Sequence, residues 1–172
     1  GSRLREAARY YEENTDYAVA ILDELVNLSI ADGVQIEPMV RTNAGEPDAF
    51  VNDQVRDLWA RFWERPEVSG EYSGPELERL VGRSMWRDGE VFGVHHLARP
   101  APFPTAVPYV LEVLEADFCP FDLVNARANN ITHGIQRDAW NRPATYYFYK
   151  VHPGAVTVTR GATLGELKAV PA

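Results

Sequence analysis

The residues of this chain best suited to chemistry are its four histidines, which lie among carboxylates. Imidazole and carboxylate groups can together bind a metal ion that activates water. Their spacing matches no common metal motif, because there is no His-Glu-x-x-His sequence and no second cysteine, and two adjacent histidines on a strand point to opposite faces. A metal-assisted hydrolase stays open as an alternative, with these candidate residues: His95, His96, His133, His152, Glu90, Glu112, Glu115, Asp117 and Asp138.

Other patterns that are typical of catalysis are missing from the sequence. Cys119 lies between Phe118 and Pro120, and an apolar setting disfavours the reactive thiolate. There is no Gly-x-Ser-x-Gly elbow and no glycine-rich nucleotide loop. Glu112 and Glu115 would face opposite sides of a strand, which argues against an acid and base pair. The sequence therefore predicts no enzyme activity and no catalytic, metal-binding or cofactor-binding residue.

The composition restricts the classes of partner. The chain has 172 residues, with 17 basic and 25 acidic side chains and a net charge of −8. A surface that grips DNA phosphates usually carries the opposite excess, so we expect no tight DNA binding. The single cysteine cannot form an internal disulfide, and no apolar run is long enough to cross a bilayer. The sequence predicts a protein of a reducing cytoplasm with no membrane contact.

Apolar periodicity predicts an α+β fold in which N-terminal helices pack on a mainly antiparallel sheet. Asn14 or Thr15 can cap the second helix through a side-chain oxygen, and Asp32-Gly33 can end it. Alternating and aromatic-rich stretches after residue 89 predict strands. The expected helices cover residues 3–13, 15–32, 48–65 and 73–89, and the expected strands cover 34–40, 90–98, 109–117 and 134–151, with a proline-rich loop at 99–108.

The helical stripes predict a core. The second helix carries apolar residues at spacings of three and four, namely Tyr17, Ile21, Leu25 and Leu28. The third has such a face in Phe50, Val55, Leu58, Trp59 and Phe62, and the fourth in Leu77, Leu80, Val81 and Ser84. We expect Ile21, Trp59, Phe62 and Leu80 to pack together against the sheet.

Residues 134–151 predict a β-hairpin with an aromatic return strand. Asn141 tolerates the positive φ that the turn needs, and Pro143 can begin the second strand. Because side chains alternate along a strand, Tyr147 and Tyr149 should share one face, and Tyr146 and Phe148 the other. Aromatic residues on both faces favour packing over chemistry.

Taken in order, these elements resemble the N-terminal part of the lambda-type family of bacteriophage portal proteins. The likeness runs through "DLWARFWE", "LERLVGRSMWRDGEVFGV", "LEVLEADFCP" and "NNITHGIQRDAWNRPATYYFYKVHPG". Similar proteins usually have glycine where this chain has Asn141, and asparagine also reaches positive φ. The residues that carry the likeness most specifically are Asp88, Gly89, Glu90, Asp117, Gly134, Ile135, Asp138, Asn141, Arg142, Pro143 and Tyr146.

The resemblance implies an assembly role and a portal wing-like fold. Portal subunits form a ring, usually of twelve copies, at one capsid vertex, and terminase drives DNA through it. Expected partners are other portal subunits, terminase, capsid proteins and head-completion proteins, in the virion and in the host cytoplasm during assembly. DNA would pass through the channel without tight binding here. Residues 1–2 then resemble a tag remnant, and 3–172 the wing region, truncated before the channel-lining part.

Overall fold

A computed structural model describes residues 2–97, 107–124, 129–153 and 164–172. The fold is α+β, as predicted, with four helices and two antiparallel sheets in these ranges. Its residues form two compact units, Arg5–Val113 and Leu114–Ala172, the second of which includes Gly1–Leu4. We call them the helical unit and the hairpin unit.

The helical unit contains most of α1, all of the next three helices, the strand β1 and most of its antiparallel partner β2. Helix α2 packs mainly on α4, and α4 also contacts the first strand. Part of the predicted loop at 99–108 lies outside the described residues. The bounds are α1 Ser2–Asn14, α2 Asp16–Ile30, α3 Ala49–Trp63, α4 Gly74–Asp88, β1 Val91–Leu97 and β2 Tyr109–Glu115.

Local capping explains where the helices begin and end. Ser73 and Glu76 form a capping box at the start of α4, and Gly89 ends that helix in the left-handed region with φ 82°. The Asp48 side chain accepts a hydrogen bond from the Val51 backbone N–H at the start of α3. Thr15 is the N-cap residue of α2, but its side chain makes no capping hydrogen bond, so that part of the prediction is wrong.

The strand predicted at 34–40 is wrong, because side chains take the place of a neighbouring strand. The Val34 N–H donates to the carboxylate of Glu78. The amide of Asn52 bonds both backbone groups of Val40, at 2.8 Å to the N–H and 3.1 Å to the carbonyl. The alternating pattern therefore yields an extended segment outside any named strand.

The predicted core is confirmed for Phe62 and wrong for Ile21. Phe62 is buried and lies 5.5 Å, ring to ring, from Tyr109 of β2. Ile21 is 60% exposed, because the buried position of α2 is Val26. Tyr17 and Leu28 of the same predicted stripe are also exposed. The predicted apolar stripes of α3 and α4 also have different outcomes. Phe50 and Leu58 of the α3 stripe are exposed, whereas Leu77 and Ser84 of the α4 stripe are buried.

The hairpin unit is built on a four-stranded sheet in the order β3, β4, β5, β6. The predicted hairpin is confirmed as β4 Ile135–Arg137 and β5 Pro143–Tyr149, while β3 Ile131–Thr132 and β6 Leu167–Pro171 were not anticipated. All neighbouring strands are antiparallel. Tyr146 and Phe148 stack on one face at 6.3 Å, and Phe148 is buried.

Candidate functional site

The end of α4 holds a buried carboxylate between two arginines. Arg9 donates from Nε and Nη2 to the two oxygens of Asp88, each at 2.9 Å, and Arg87 donates to the same two oxygens at 3.0 and 2.7 Å. The Asp88 side chain is fully buried. Paired donation of this kind gives a strong, directional contact between helices that are far apart in sequence.

The surroundings of Asp88 stabilise its charge. Burial by itself would raise the pKa of the carboxyl, but the hydrogen bonds and charges of Arg9 and Arg87 outweigh burial and hold that pKa below its usual value. Asp88 therefore stays ionised at neutral pH. Removing it would leave two partly buried guanidinium groups without their shared carboxylate.

Asp88 belongs to a network that joins three helices. Arg83 of α4 donates to Glu12 of α1 at 2.6 Å and to Asp23 of α2, and hydrogen bonding to Asp23 raises the pKa of Arg83. Arg87 also lies 3.3 Å from Glu12. Arg5 bonds Glu90 at 3.1 Å. The Asp88-Gly89-Glu90 motif is therefore a joint that fixes α1 against the end of α4. We call this set the arginine network: Arg5, Arg9, Glu12, Asp23, Arg83, Arg87, Asp88 and Glu90.

A second aspartate fixes the turn of the hairpin, which we call the hairpin tip (Arg137 to Arg142). One oxygen of Asp138 accepts the backbone N–H groups of Trp140 and Arg142, at 2.8 and 2.9 Å. Its other oxygen pairs with the Arg142 guanidinium at 2.8 Å. The hydrogen bond from the Arg142 backbone, more than any other contact, lowers the pKa of Asp138. Asn141 has φ 62°, which confirms its predicted conformation.

The remaining motif residues pack within the hairpin unit. Gly134 has φ 76°, and an added Cβ would lie 2.8 Å from the sulfur of Cys119, so only glycine fits there. Ile135 pairs with Tyr146 across the sheet, and Pro143 pairs with Arg137 at the start of β5. Asp117 lies in a 3₁₀ turn after β2. The structure thus brings Asp138, Asn141, Arg142 and Pro143 together at one turn and gives the other residues separate packing roles.

Each of the four histidines contacts a different group. His95 Nδ1 and the Tyr109 hydroxyl are 2.5 Å apart, and His96 Nε2 lies 2.7 Å from a Glu112 oxygen. Burial raises the pKa of Tyr109. His133 contacts a backbone carbonyl, and His152 lies 3.7 Å from Glu115. Within the described ranges, no three His, Cys, Asp or Glu residues are grouped so that they could hold a metal ion.

The sequence analysis did not predict that several large apolar side chains are exposed to solvent. Tyr17 is 82% exposed, Leu28 74% and Trp140 81%. Helix α2 has apolar residues on two faces, and that pattern could have indicated a second, uncovered face. None of the helices in the described ranges has the length and apolar character that crossing a bilayer requires.

The helical unit also contains an open apolar groove of about 550 Å³. It lies among the end of α2, α4 and the sheet of β1 and β2. Its walls include Ile30, Val34, Trp63, Leu77, Val81 and Phe92. An adjoining cleft of about 410 Å³ is bordered by three carboxylates, Asp32, Glu64 and Glu78. The groove therefore offers apolar walls beside an acidic rim.

Comparison with known proteins gives the same family as the motifs. The family described as phage portal protein, lambda family, matches residues 1–172. A probable portal protein of Halomonas phage phiHAP-1 is 26% identical over 160 residues, which cover 88% of this chain and 29% of that protein. The chain thus spans less than a third of the length of this curated relative. Because the family match covers the whole sequence, the chain belongs to the lambda family of phage portal proteins.

Proposed function

We propose that this chain is the wing region of a portal subunit, in a ring at the capsid vertex through which DNA is packaged and ejected. The observation that carries the proposal is the family match over all 172 residues. The proposed partners are other portal subunits, in a ring of about twelve as in similar proteins, together with terminase, capsid and head-completion proteins. Its place is the virion, after assembly in the host cytoplasm.

The structure supports an assembly role through its exposed apolar side chains. Contiguous apolar patches on a protein surface mark contacts with other proteins, whereas single exposed apolar side chains are ordinary. Here the exposed apolar side chains are found in α1, α2, the start of α3 and the hairpin tip, at Tyr10, Tyr17, Leu28, Phe50 and Trp140. The histidine contacts give no specific support to the alternative of a metal-assisted hydrolase. We propose a structural subunit that catalyses no reaction.

The net charge of the chain disfavours tight binding to the DNA that passes through the proposed ring. With a net charge of −8, the chain should bind duplex DNA no more tightly than about 10⁻⁴ M at physiological salt. A fluorescence-anisotropy titration measures this affinity. Binding in the low micromolar range would mean that the arginines form a basic face, contrary to the proposal.

Packaged DNA gives the direct test of portal function. Capsids assembled in cells that lack the full-length protein should contain no nuclease-resistant phage DNA, and supplying the protein in trans should restore it. A matched control supplies a variant with a frameshift early in the coding region. Normal DNA protection without the protein would contradict the proposal.

A further inference from the structure

The hairpin tip presents a large aromatic side chain on a fixed turn. Trp140 is 81% exposed. Its own backbone N–H and that of Arg142 are bonded to Asp138, and Arg137 donates to the Asn141 carbonyl at 2.9 Å. Because the turn is already ordered, burying Trp140 in a partner would cost little conformational entropy. Tryptophan, tyrosine and arginine are enriched among the residues that contribute most to binding at protein interfaces, and a pre-ordered segment loses less entropy on binding.

The apolar groove of the helical unit has the size and chemistry to receive such a side chain. Its volume of about 550 Å³ lies within the ~300–1,000 Å³ typical of pockets that enclose a drug-sized molecule. Gly93 forms part of the wall, and the space where its Cβ would lie is open. The volume of the groove is therefore large enough to receive an indole ring.

Charge favours the same pairing. The hairpin tip carries Arg137 and Arg142 against the single carboxylate of Asp138, so it is locally basic in a chain of net charge −8. The rim beside the groove is acidic, with Asp32, Glu64 and Glu78. Complementary charge at the edge of an apolar contact speeds association and selects its orientation.

We propose that Trp140 of one copy inserts into the apolar groove of the neighbouring copy, with Arg137 and Arg142 beside the acidic rim. This inference rests on the proposed ring. A ring requires contacts between two different surfaces of each subunit, since a contact between identical surfaces closes after two copies. The hairpin tip and the groove are two such surfaces.

Photo-cross-linking at position 140 tests the contact. Two differently tagged copies of the full-length protein are co-expressed, and only one carries p-benzoylphenylalanine in place of Trp140. After irradiation of the purified assembly, mass spectrometry should locate the cross-link in the other copy, at groove residues such as Val34 or Trp63. A cross-link within one polypeptide, to a different protein, to a surface outside the groove or to nothing overturns the inference.

Two substitutions test the same contact from its two sides. Trp140→Ala should reduce the fraction of protein in rings at least tenfold at micromolar concentration, with an unchanged melting temperature of the subunit. Gly93→Leu should have the same effect, because its side chain occupies the groove wall. Gly165→Leu is the matched control, since its Cβ also meets nothing within 4 Å and it lies in the other unit. Normal rings in both Trp140→Ala and Gly93→Leu would overturn the inference.

The failure of this inference can be distinguished from the failure of the ring itself. If the parent protein forms rings and the cross-link misses the groove, the contact is wrong and the ring stands. If the parent forms no rings, both proposals are wrong.

Discussion

Two aspartates fix two turns of this molecule in opposite ways. Asp88, at the end of α4, is held by Arg9 from a helix 79 residues earlier in the chain. Asp138, in the hairpin tip, accepts hydrogen bonds only two and four residues away. Asp88 therefore joins elements of the helical unit, whereas Asp138 shapes one loop. We therefore expect the stability of the helical unit to depend on the contacts of Asp88. We expect the exposure of Trp140 on an ordered turn to depend on the contacts of Asp138.

The largest effect should come from Asp88→Ala. It leaves Arg9 and Arg87 partly buried without their shared carboxylate, and removal of one partner from a buried ion pair costs about 3 to 5 kcal/mol. Urea unfolding measures the loss. Asp138→Ala, the matched control, should cost far less because its carboxylate serves only the turn. Equal losses in both variants would contradict the comparison.

Acid should weaken the same contact. Because the folded-state pKa of Asp88 lies below its usual value, its contribution is complete above the unfolded pKa of about 3.9 and is lost as the pH falls through the folded pKa. Urea midpoints measured from pH 6 down to pH 3 should fall more steeply below about pH 4 in the parent than in Asp88→Ala. Parallel curves would show that Asp88 is not the group responsible.

A smaller loss is expected from Gly74→Ala at the start of α4. An added Cβ would lie 2.0 Å from the ring of Trp63, which stacks on Trp59 at 4.5 Å. Overpacking of this kind costs about 1 to 3 kcal/mol. Gly165→Ala, where the space is open, should be nearly neutral by thermal unfolding. A neutral Gly74→Ala would mean that Trp63 can move aside.

In the hairpin tip, Asn141→Val should cost about 1 to 2 kcal/mol, because a β-branched residue resists positive φ. Asn141→Gly should be neutral or slightly stabilising, since glycine accepts φ 62° without strain. Thermal unfolding compares the two variants. Equal stability of the glycine and valine variants would contradict the turn assignment.

The smallest effect is expected from Ile21→Ser on the uncovered face of α2. Ile21 is 60% exposed, and a surface substitution usually changes stability by less than about 0.5 kcal/mol. Val26→Ser, on the buried side of the same helix, is the matched comparison. Chemical denaturation should separate the two variants clearly. A larger loss of stability in Ile21→Ser than in Val26→Ser would support the core packing of Ile21 that the sequence predicted.

The sequence predicts local features of this fold better than long-range ones. The positive φ of Asn141, the capping of α4 by Ser73 and the turn at Gly89 all follow from residues close in sequence. Residues close in sequence do not determine which face of α2 is buried, because both faces of that helix are apolar. Only contact with α4 decides that Val26 and not Ile21 is buried. The strand prediction at 34–40 fails for a similar reason, since the segment is held by side chains outside it, Asn52 at 12 residues from Val40 and Glu78 at 44 residues from Val34.

The features of the candidate site also differ in whether the sequence could predict them, because some have local contacts and others have long-range contacts. The motif at Asp138, Asn141 and Arg142 could be located from the sequence because its contacts are local. The partners of Asp88 could not, since Arg9 lies on another helix. The groove is assembled from α2, α4, β1 and β2, and no single stretch of sequence contains it.

Electron microscopy of the full-length protein tests the central claim most directly. Negatively stained particles, purified without other phage proteins, should show closed rings of about twelve copies around a central channel, which is the assembly that we propose. A uniform population of monomers or of twofold dimers at micromolar concentration would contradict the assignment of this chain to a portal ring.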